Sequence, residues 1–339
     1  DRAISSIAVD DFLLPAQNDS ISGSSVFGYL NKSQTLNAVT KMENVRYRKG
    51  FPEVMGPGYV IPYLNEDVYS GMYSEISQLE NEDLPYFAYF HLYSPHFPYR
   101  PHNDYRRLFH DDGYRPVSKP VHPLSTGLRE DYMLGQRVLY DRQIAQVDYE
   151  FGRLMRRLYK NGILDNSYLI FTSDHGELFE RGYVGHGSQM MYDPVLRIPL
   201  IIRAPEQTKR EDIYSLTSNI DILPTLLSLA GKNEVPDADG KILPGFGGVA
   251  DDNRPIFSVV AVDNSAFAPI TKAVVSMRKH NYKLIGYLGY DKVEQNYELY
   301  DLENDPDEMF NLSQKEVNLL SVMKSEMTTY LTEANQSFY

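Results

Sequence analysis

The residues best equipped for chemistry lie in Thr172-Ser173-Asp174-His175-Gly176-Glu177. A carboxylate and an imidazole stand side by side directly after the short apolar run Tyr168-Leu169-Ile170-Phe171-Thr172, and Gly176 permits a sharp turn behind them. Neighbouring strand residues point to opposite faces, so Asp174 and His175 converge only where the strand has ended. A metal ion there accounts for the arrangement. Carboxylate with imidazole suits zinc, manganese or a mixed site, whereas calcium prefers oxygen ligands. The plainer alternative is a turn in which Asp174 caps backbone amides and His175 lies on the surface. Two more imidazoles share the placement: His186 within Gly185-His186-Gly187, and His96 within Pro95-His96-Phe97-Pro98, after the aromatic run Pro85–Tyr93. Imidazoles at strand exits suit a polyanion, because each can bind a metal or donate to an oxyanion. Each taken alone reads as an ordinary loop residue; together they favour a site.

Such side chains need a scaffold. Pro85–Tyr93, Tyr168–Thr172 and Ile198–Arg203 have the composition and length of buried strands. Val68, Met72, Ile76 and Leu79 mark an amphipathic helix over Asp67–Leu79. A long helix spans Glu130–Asn161, with Leu139, Ile144, Val147, Phe151, Leu154, Met155 and Leu158 as its buried stripe and Asn161-Gly162 as its stop. A capped helix covers Ser218–Gly231. Strands alternating with helices imply an α/β sheet with ligands gathered at strand ends. Between them Arg100–Arg129 reads as a long surface loop, a length uncommon without function. Its tyrosines beside Arg100, Arg106 and Arg107 could serve a sugar ring or anionic substituents, or simply packing and solvent cover.

The ends differ in texture. The first stretch is irregular, with Ile7-Ala8-Val9 and Ser25–Leu30 as short candidate strands. Past Val235, a Gly-, Pro- and Asp-rich linker over Asp237–Arg254 leads to strands at Pro255–Val260, Lys272–Arg278, Lys283–Tyr287 and Tyr297–Tyr300, and to a final helix over Gln314–Ala334. The domains are therefore placed at 1–235, α/β, and 236–339, a small C-terminal α+β subdomain.

Composition narrows the function. The 339 residues carry 33 basic against 46 acidic side chains, a net charge of −13, which argues against nucleic acid as a partner. A small anionic substrate stays compatible, because a metal or a few cations invert the field within one cleft. There is no cysteine, so disulfides and thiolate metal sites are excluded and the compartment is left open. No apolar run has the length of a membrane span. The chain starts Asp1-Arg2-Ala3 with no signal-peptide pattern, and this start reads as a cut inside a longer protein.

The segments Tyr140–Asp148, Gly162–Asn166, Ile170–Glu177, Gly185-His186-Gly187, Arg197–Ile202 and Asp221–Leu227 resemble, in order, the sulfatase family of the alkaline-phosphatase superfamily. So do Arg48-Lys49-Gly50-Phe51 and Phe90–Tyr99 upstream, and Tyr282-Lys283-Leu284 and Glu298–Leu312 downstream. The resemblance implies an alkaline-phosphatase-like central sheet flanked by helices. It implies that Asp174 and His175 are two ligands of one divalent cation, calcium by the family's usage and zinc or manganese in its phosphoesterase branch. It places His96 and His186 where the family contacts the sulfate or protonates the leaving oxygen, with bracing of its own loop as the other reading of His96. Arg197 either lines the site or pairs with Asp193. The acids of Glu298–Asn311 are structural in the family rather than a calcium loop.

The implied reaction is in-line displacement at sulfur by a metal-held nucleophile, with a histidine protonating the departing alcohol. In sulfatases that nucleophile is a formylglycine made from Cys or Ser in a Cys/Ser-x-Pro-x-Arg motif. No such motif occurs here. Asp10-Asp11 after Ile7-Ala8-Val9 looks like the family's opening metal-binding pair, but too few residues separate it from Gly50-Phe51 to house the nucleophile segment, so it reads as a loop. The expectation is that the formylglycine segment belongs to a missing N-terminal part and that this chain alone is inactive. Three readings follow: a sulfuric-ester hydrolase acting on a sulfated small molecule or carbohydrate, a phosphate or phosphonate ester hydrolase of the same superfamily, and a non-catalytic binder of a sulfated or phosphorylated glycan.

Overall fold

The computed structural model describes residues 4–8, 65–81, 85–110, 112–186, 189–232, 238–261, 264, 268–293 and 296–336, with backbone alone at 4–8 and 65. Asp10 and Asp11, Ser25–Leu30 and Arg48–Phe51 lie outside the described residues. Two compact units emerge. One holds the described residues up to Arg115 with Leu134–Leu169 and Arg203–Gln207; the other holds Pro116–Met133, Ile170–Ile202 and the described residues from Thr208 onward.

In the first unit, β1 (Ile4–Ala8) pairs in parallel with β2 (Phe87–His91), in a register running from Ile4↔Phe87 to Ala8↔His91. Parallel pairing has to be reached by a crossover, and the helix α1 (Asn65–Glu80) lies between the two strands in sequence. Helix α1 and the long helix α2 (Glu130–Lys160) supply a shared core in which Tyr69, Ile76, Leu154, Leu158, Ile163 and Leu164 are buried. Tyr69 sits deeper than the expected Val68, so the buried stripe of α1 runs Tyr69, Met72, Tyr73, Ile76.

Helix α2 also departs from expectation. Ile144 is exposed, while Gln143, Gln146 and Glu150 are buried. Two of these polar residues have assigned work: Gln143 Oε1 accepts the Arg100 N–H at 2.9 Å, and Gln146 Oε1 accepts the His102 N–H at 3.0 Å. Gln143 Nε2 also donates to Ser94 Oγ at 2.9 Å. A loop rich in Pro has few backbone partners of its own, and its buried N–H groups must be satisfied by something. Glutamines three residues apart on one helix face satisfy them.

Strand β3 (Leu169–Thr172) pairs with β6 (Leu200–Arg203), and Ile170–Thr172 and Leu200–Ile202 of these strands belong to the second unit. Between them runs a tight hairpin of β4 (Leu178–Glu180) and β5 (Tyr183–Gly185), then a one-turn helix α3 (Asp193–Leu196). The hairpin turns on Arg181-Gly182, both with positive φ, 55° and 79°. That is the two-residue geometry whose twist matches the strands. A side chain at Gly182 would also press on Ser125 Oγ at 2.9 Å. Arg181, an unusual residue for this conformation, is buried over the Tyr192 ring, 4.0 Å from its centroid, and donates to the Glu308 carbonyl.

The C-terminal strands β7 (Ile256–Val260), β8 (Ala273–Lys279), β9 (Tyr282–Leu288) and β10 (Tyr297–Asp301) form an antiparallel sheet in the order β10-β9-β8-β7. Alternate residues of β8 face opposite ways. Ala273, Val275 and Met277 pack with Met323, Met327 and Leu331 of the final helix α5 (Val317–Asn335). Val274 joins Leu178, Met190, Tyr192, Val195 and Ile285 in a separate core. A sheet covered on both faces explains why its central strands lack the apolar–polar alternation of a half-exposed strand.

Helix α4 (Ile222–Leu229) follows a 3₁₀ turn at Asn219–Asp221. The buried Asp221 accepts from Ser218 N–H at 2.9 Å and from both terminal nitrogens of Arg254 at 2.8 and 3.0 Å. The stretch that reads as a linker is therefore strapped to α4 in its described part, 238–254. No helix among the described residues is long and apolar enough to cross a membrane.

Candidate active site at the end of the third strand

Strand β3 ends at Thr172, whose Oγ1 donates to the Pro199 carbonyl at 2.8 Å. The next residues turn away from the sheet. Asn219 Nδ2 holds the Ser173 carbonyl at 2.9 Å, and Ser173 Oγ closes onto the His175 carbonyl at 2.5 Å. Two backbone bonds then clamp the chain against α3: Gly176 N–H to Val195 O at 2.7 Å and Glu177 N–H to Pro194 O at 2.9 Å. The clamp explains the glycine. A Cβ at position 176 would lie 2.1 Å from the Pro194 carbonyl oxygen, far inside contact distance.

Helix α3 is itself anchored. Asp193 at its start pairs with Lys283 at 2.9 Å and with Arg278 at 3.5 Å, and its N–H donates to Glu308 Oε2 at 2.8 Å. Lys283 and Glu308, both 1% exposed, pair with each other at 2.7 Å. Burial pushes the Glu308 carboxyl up, against the pull of the Lys283 ammonium. Of the two roles expected for Arg197, the pairing with Asp193 is taken by these C-terminal cations. Arg197 is exposed, and its backbone N–H, not its guanidinium, meets the Asp193 carbonyl, at 2.8 Å.

On this frame Asp174, His175, Glu177 and His186 come together. The Asp174 carboxylate caps the His175 N–H through Oδ1 at 2.9 Å, and Oδ2 lies 3.5 Å from His175 Nε2. The turn-capping alternative for Asp174 and its role in a site are thus compatible. The His175 and His186 rings stack, 3.7 Å between centroids and 22° between planes. His186 Nδ1 lies 3.0 Å from Oε1 of Glu177, whose side chain is 3% exposed. That hydrogen bond, opposed by burial, holds the His186 pKa above the ordinary imidazole value, and the charges of Glu177 and Asp174 add to it. The sequence alone assigns Glu177 no role. Nothing in the spacing reveals that the β4–β5 hairpin folds His186 back onto it.

His96 belongs to the first unit. It follows β2 in a turn closed by His96 N–H to Tyr93 O at 2.8 Å, with Nδ1 at 2.5 Å from the Phe97 carbonyl and 3.0 Å from the Tyr93 hydroxyl. A carbonyl only accepts, so Nδ1 carries the proton.

The same logic tests the metal. His175 Nδ1 faces the Gly176 carbonyl at 2.8 Å and must donate to it, so the neutral ring turns the lone pair of Nε2 toward Asp174 Oδ2. Two acceptors facing each other are complementary to a cation, and a carboxylate with an imidazole whose other nitrogen is held by a carbonyl is a common metal-ligand arrangement. Asp174 and His175 fit as two ligands. Among the described residues no group of three or more His, Asp or Glu side chains is arranged to hold a metal.

A sulfatase family model matches residues 19–232, spanning this whole cluster. The chain belongs to the sulfatase family. The C-terminal model of N-sulphoglucosamine sulphohydrolase matches residues 180–336 of this sulfatase-family chain. The N-acetylglucosamine-6-O-sulfatase of Bacteroides thetaiotaomicron is 30% identical over 203 residues, 56% of this chain and 35% of that protein. The chain spans about a third to a half of the length of the curated relatives it matches. Among solved structures, a putative sulfatase from Bacteroides fragilis superposes with a TM-score of 0.67 at 24% identity, covering 82% of this chain and 60% of that one. The phosphonate monoester hydrolase of Agrobacterium radiobacter gives a TM-score of 0.67 at 21% identity, covering 88% and 69%. The fold is therefore the expected alkaline-phosphatase-like α/β fold.

Proposed function

We propose that the protein is a sulfuric-ester hydrolase acting on a sulfated carbohydrate or small molecule. The observation that carries this reading is the convergence of Asp174, His175, Glu177 and His186 at the end of β3, in a chain of the sulfatase family. In this reading Asp174 and His175 hold a divalent cation, calcium by resemblance. Such an ion, when bound, neutralises charge on the sulfuryl oxygens.

The chain's own side chains supply the rest. His186, braced by a buried carboxylate, has the character of a proton donor to a departing alkoxide oxygen. Its raised pKa keeps it protonated further toward neutrality than an isolated imidazole. Arg197, exposed beyond α3, is the proposed cationic contact to sulfate oxygens. A sulfate contact or proton-donor role for His96 rests on the family resemblance alone. The sugar substrate draws support from the relative named N-acetylglucosamine-6-O-sulfatase.

Two measurements test the reading. Calcium titrated calorimetrically into this chain should give a binding isotherm that weakens about 100-fold or more in Asp174→Ala, since loss of a direct ligand should exceed the roughly 10- to 100-fold cost of removing a ligand's supporting partner. An unchanged isotherm removes Asp174 from the metal. In the whole protein, sulfate release from glucosamine 6-sulfate should exceed phosphate release from 4-nitrophenyl phosphate and ester cleavage of a phenylphosphonate. Preference for either phosphorus ester transfers the protein to the phosphoesterase branch, and binding of sulfated sugar without turnover of any ester makes it a glycan binder.

A further inference from the structure

The buried carboxylate of Glu177 is not a member of the metal pair, and no exposed function is open to it. Its side chain is 3% exposed, its backbone is clamped to Pro194 O at 2.9 Å, and Oε1 lies 3.0 Å from His186 Nδ1. A carboxylate in that position is expensive unless it accepts a hydrogen bond from a cationic or polar donor. The donor is His186. The stack on His175, with centroids 3.7 Å apart, fixes the plane of the His186 ring, and the bond to Glu177 fixes which edge points inward. Neither constraint alone sets the ring: a stacked ring can flip about its own axis, and a hydrogen-bonded edge can tilt.

We infer that Glu177 is the positioning residue for His186, locking the neutral ring in the tautomer with its proton on Nδ1 and orienting Nε2, which donates to a sulfate oxygen only when it carries the ring's second proton. The role rests on the sulfuric-ester reading for the identity of the ligand, but the lock itself is a property of the fold. Any second proton the ring acquires must then reside on Nε2, the edge turned away from Glu177. Glu177 touches neither substrate nor cation in this scheme. It acts through His186.

The test uses the full chain labelled with ¹⁵N-histidine. Two-bond ¹H–¹⁵N correlations at about pH 9, where an ordinary imidazole is neutral, report the tautomer of each ring. His186 should carry its proton on Nδ1 in the wild type and in Glu177→Gln, whose amide oxygen still accepts. In Glu177→Leu, of similar size but without an acceptor, it should move to the Nε2–H form that neutral imidazole prefers in water. His122 is the internal control for folding: its Nδ1 accepts the Leu124 N–H at 3.1 Å, so its own proton stays on Nε2 in every variant. Inorganic sulfate titrated at about pH 6.5, near the ordinary imidazole pKa, should shift the His186 resonances in wild type and Glu177→Gln and bind roughly 10-fold more weakly in Glu177→Leu. An unchanged His186 tautomer in a folded Glu177→Leu chain overturns the inference. A tautomer set by Glu177 in a chain whose His186 ignores sulfate upholds the lock and overturns the sulfate reading alone.

Discussion

At the scale of single residues, the site depends on one side chain that is absent. Gly176 lets the chain pass under α3 closely enough for the two backbone bonds that hold Asp174 and His175 on one side and Glu177 on the other. Its missing Cβ is a requirement of close approach, since the obstacle is the rigid Pro194 carbonyl at 2.1 Å rather than a side chain that could swing aside. Gly176→Ala should therefore destabilise the chain by about 1–3 kcal/mol, the range for overpacking a tight interior. It should also weaken calcium binding if Asp174 and His175 are the ligands proposed above, because they would separate from the clamp that orients them. Urea unfolding and calcium calorimetry on the same variant check both effects. A variant with wild-type stability would show that α3 yields without cost and that the glycine has another purpose.

At the scale of elements, a segment and a sheet are joined through a buried polar cluster. His122 Nε2 lies 3.0 Å from the Tyr287 hydroxyl and 3.8 Å from Glu298 Oε1, while Tyr192 and Tyr300 both donate to Glu298 Oε2, at 2.8 and 2.9 Å. Arg181 faces the same cluster from the hairpin turn. Burial lowers the His122 pKa below its ordinary value; Glu298 opposes that shift and Arg181 adds to it. The sign follows from proton counting. A histidine whose folded pKa is depressed binds fewer protons folded than unfolded, so its contribution is complete above the unfolded pKa of about 6.5 and is lost as pH falls toward the folded value. Stability by urea unfolding should decline between about pH 7 and pH 5, and His122→Asn, which cannot charge, should flatten that decline. Equal slopes in the two proteins would assign the acid sensitivity to other groups. The same cluster shows what a sequence conceals. The strands of the C-terminal sheet are legible from their composition, but the β4–β5 hairpin is not. Its strands are three residues long, and its turn is Arg-Gly, in which Gly182 favours positive φ but Arg181, packed over Tyr192, does not. Without that hairpin, Glu177 and His186 are separate loop residues. Gln143 and Gln146 are hidden for a related reason: a glutamine on a helix looks solvent-facing until the loop that needs its carbonyl is known. Asp174, His175 and His186, by contrast, stand in motifs, and motifs survive without geometry.

At the scale of the whole chain, the net charge of −13 confronts the anionic ligand that the proposed function requires. Two opposing fields are at issue. The overall field repels sulfate at long range, while the arginines of the loop following Tyr99, Arg100, Arg106 and Arg107 among them, would attract an anion that came close to them. Screening separates the two by distance. The Debye length is about 30 Å at 0.01 M salt and about 8 Å at 0.15 M, so added salt removes the long-range repulsion first and leaves contacts within a site comparatively intact. A protein that captured sulfated glycans through a basic face would lose affinity steeply over this range, as polyanion binding by counterion release requires. This chain should do the opposite. Association with a polysulfated oligosaccharide, followed by stopped-flow fluorescence, should quicken by about 2- to 5-fold from 0.01 to 0.15 M sodium chloride, within the range over which electrostatic steering changes on-rates. A steep fall in its place would mean that the arginine loop governs capture, and recognition would then lie in that loop rather than in the proposed metal ligands and His186.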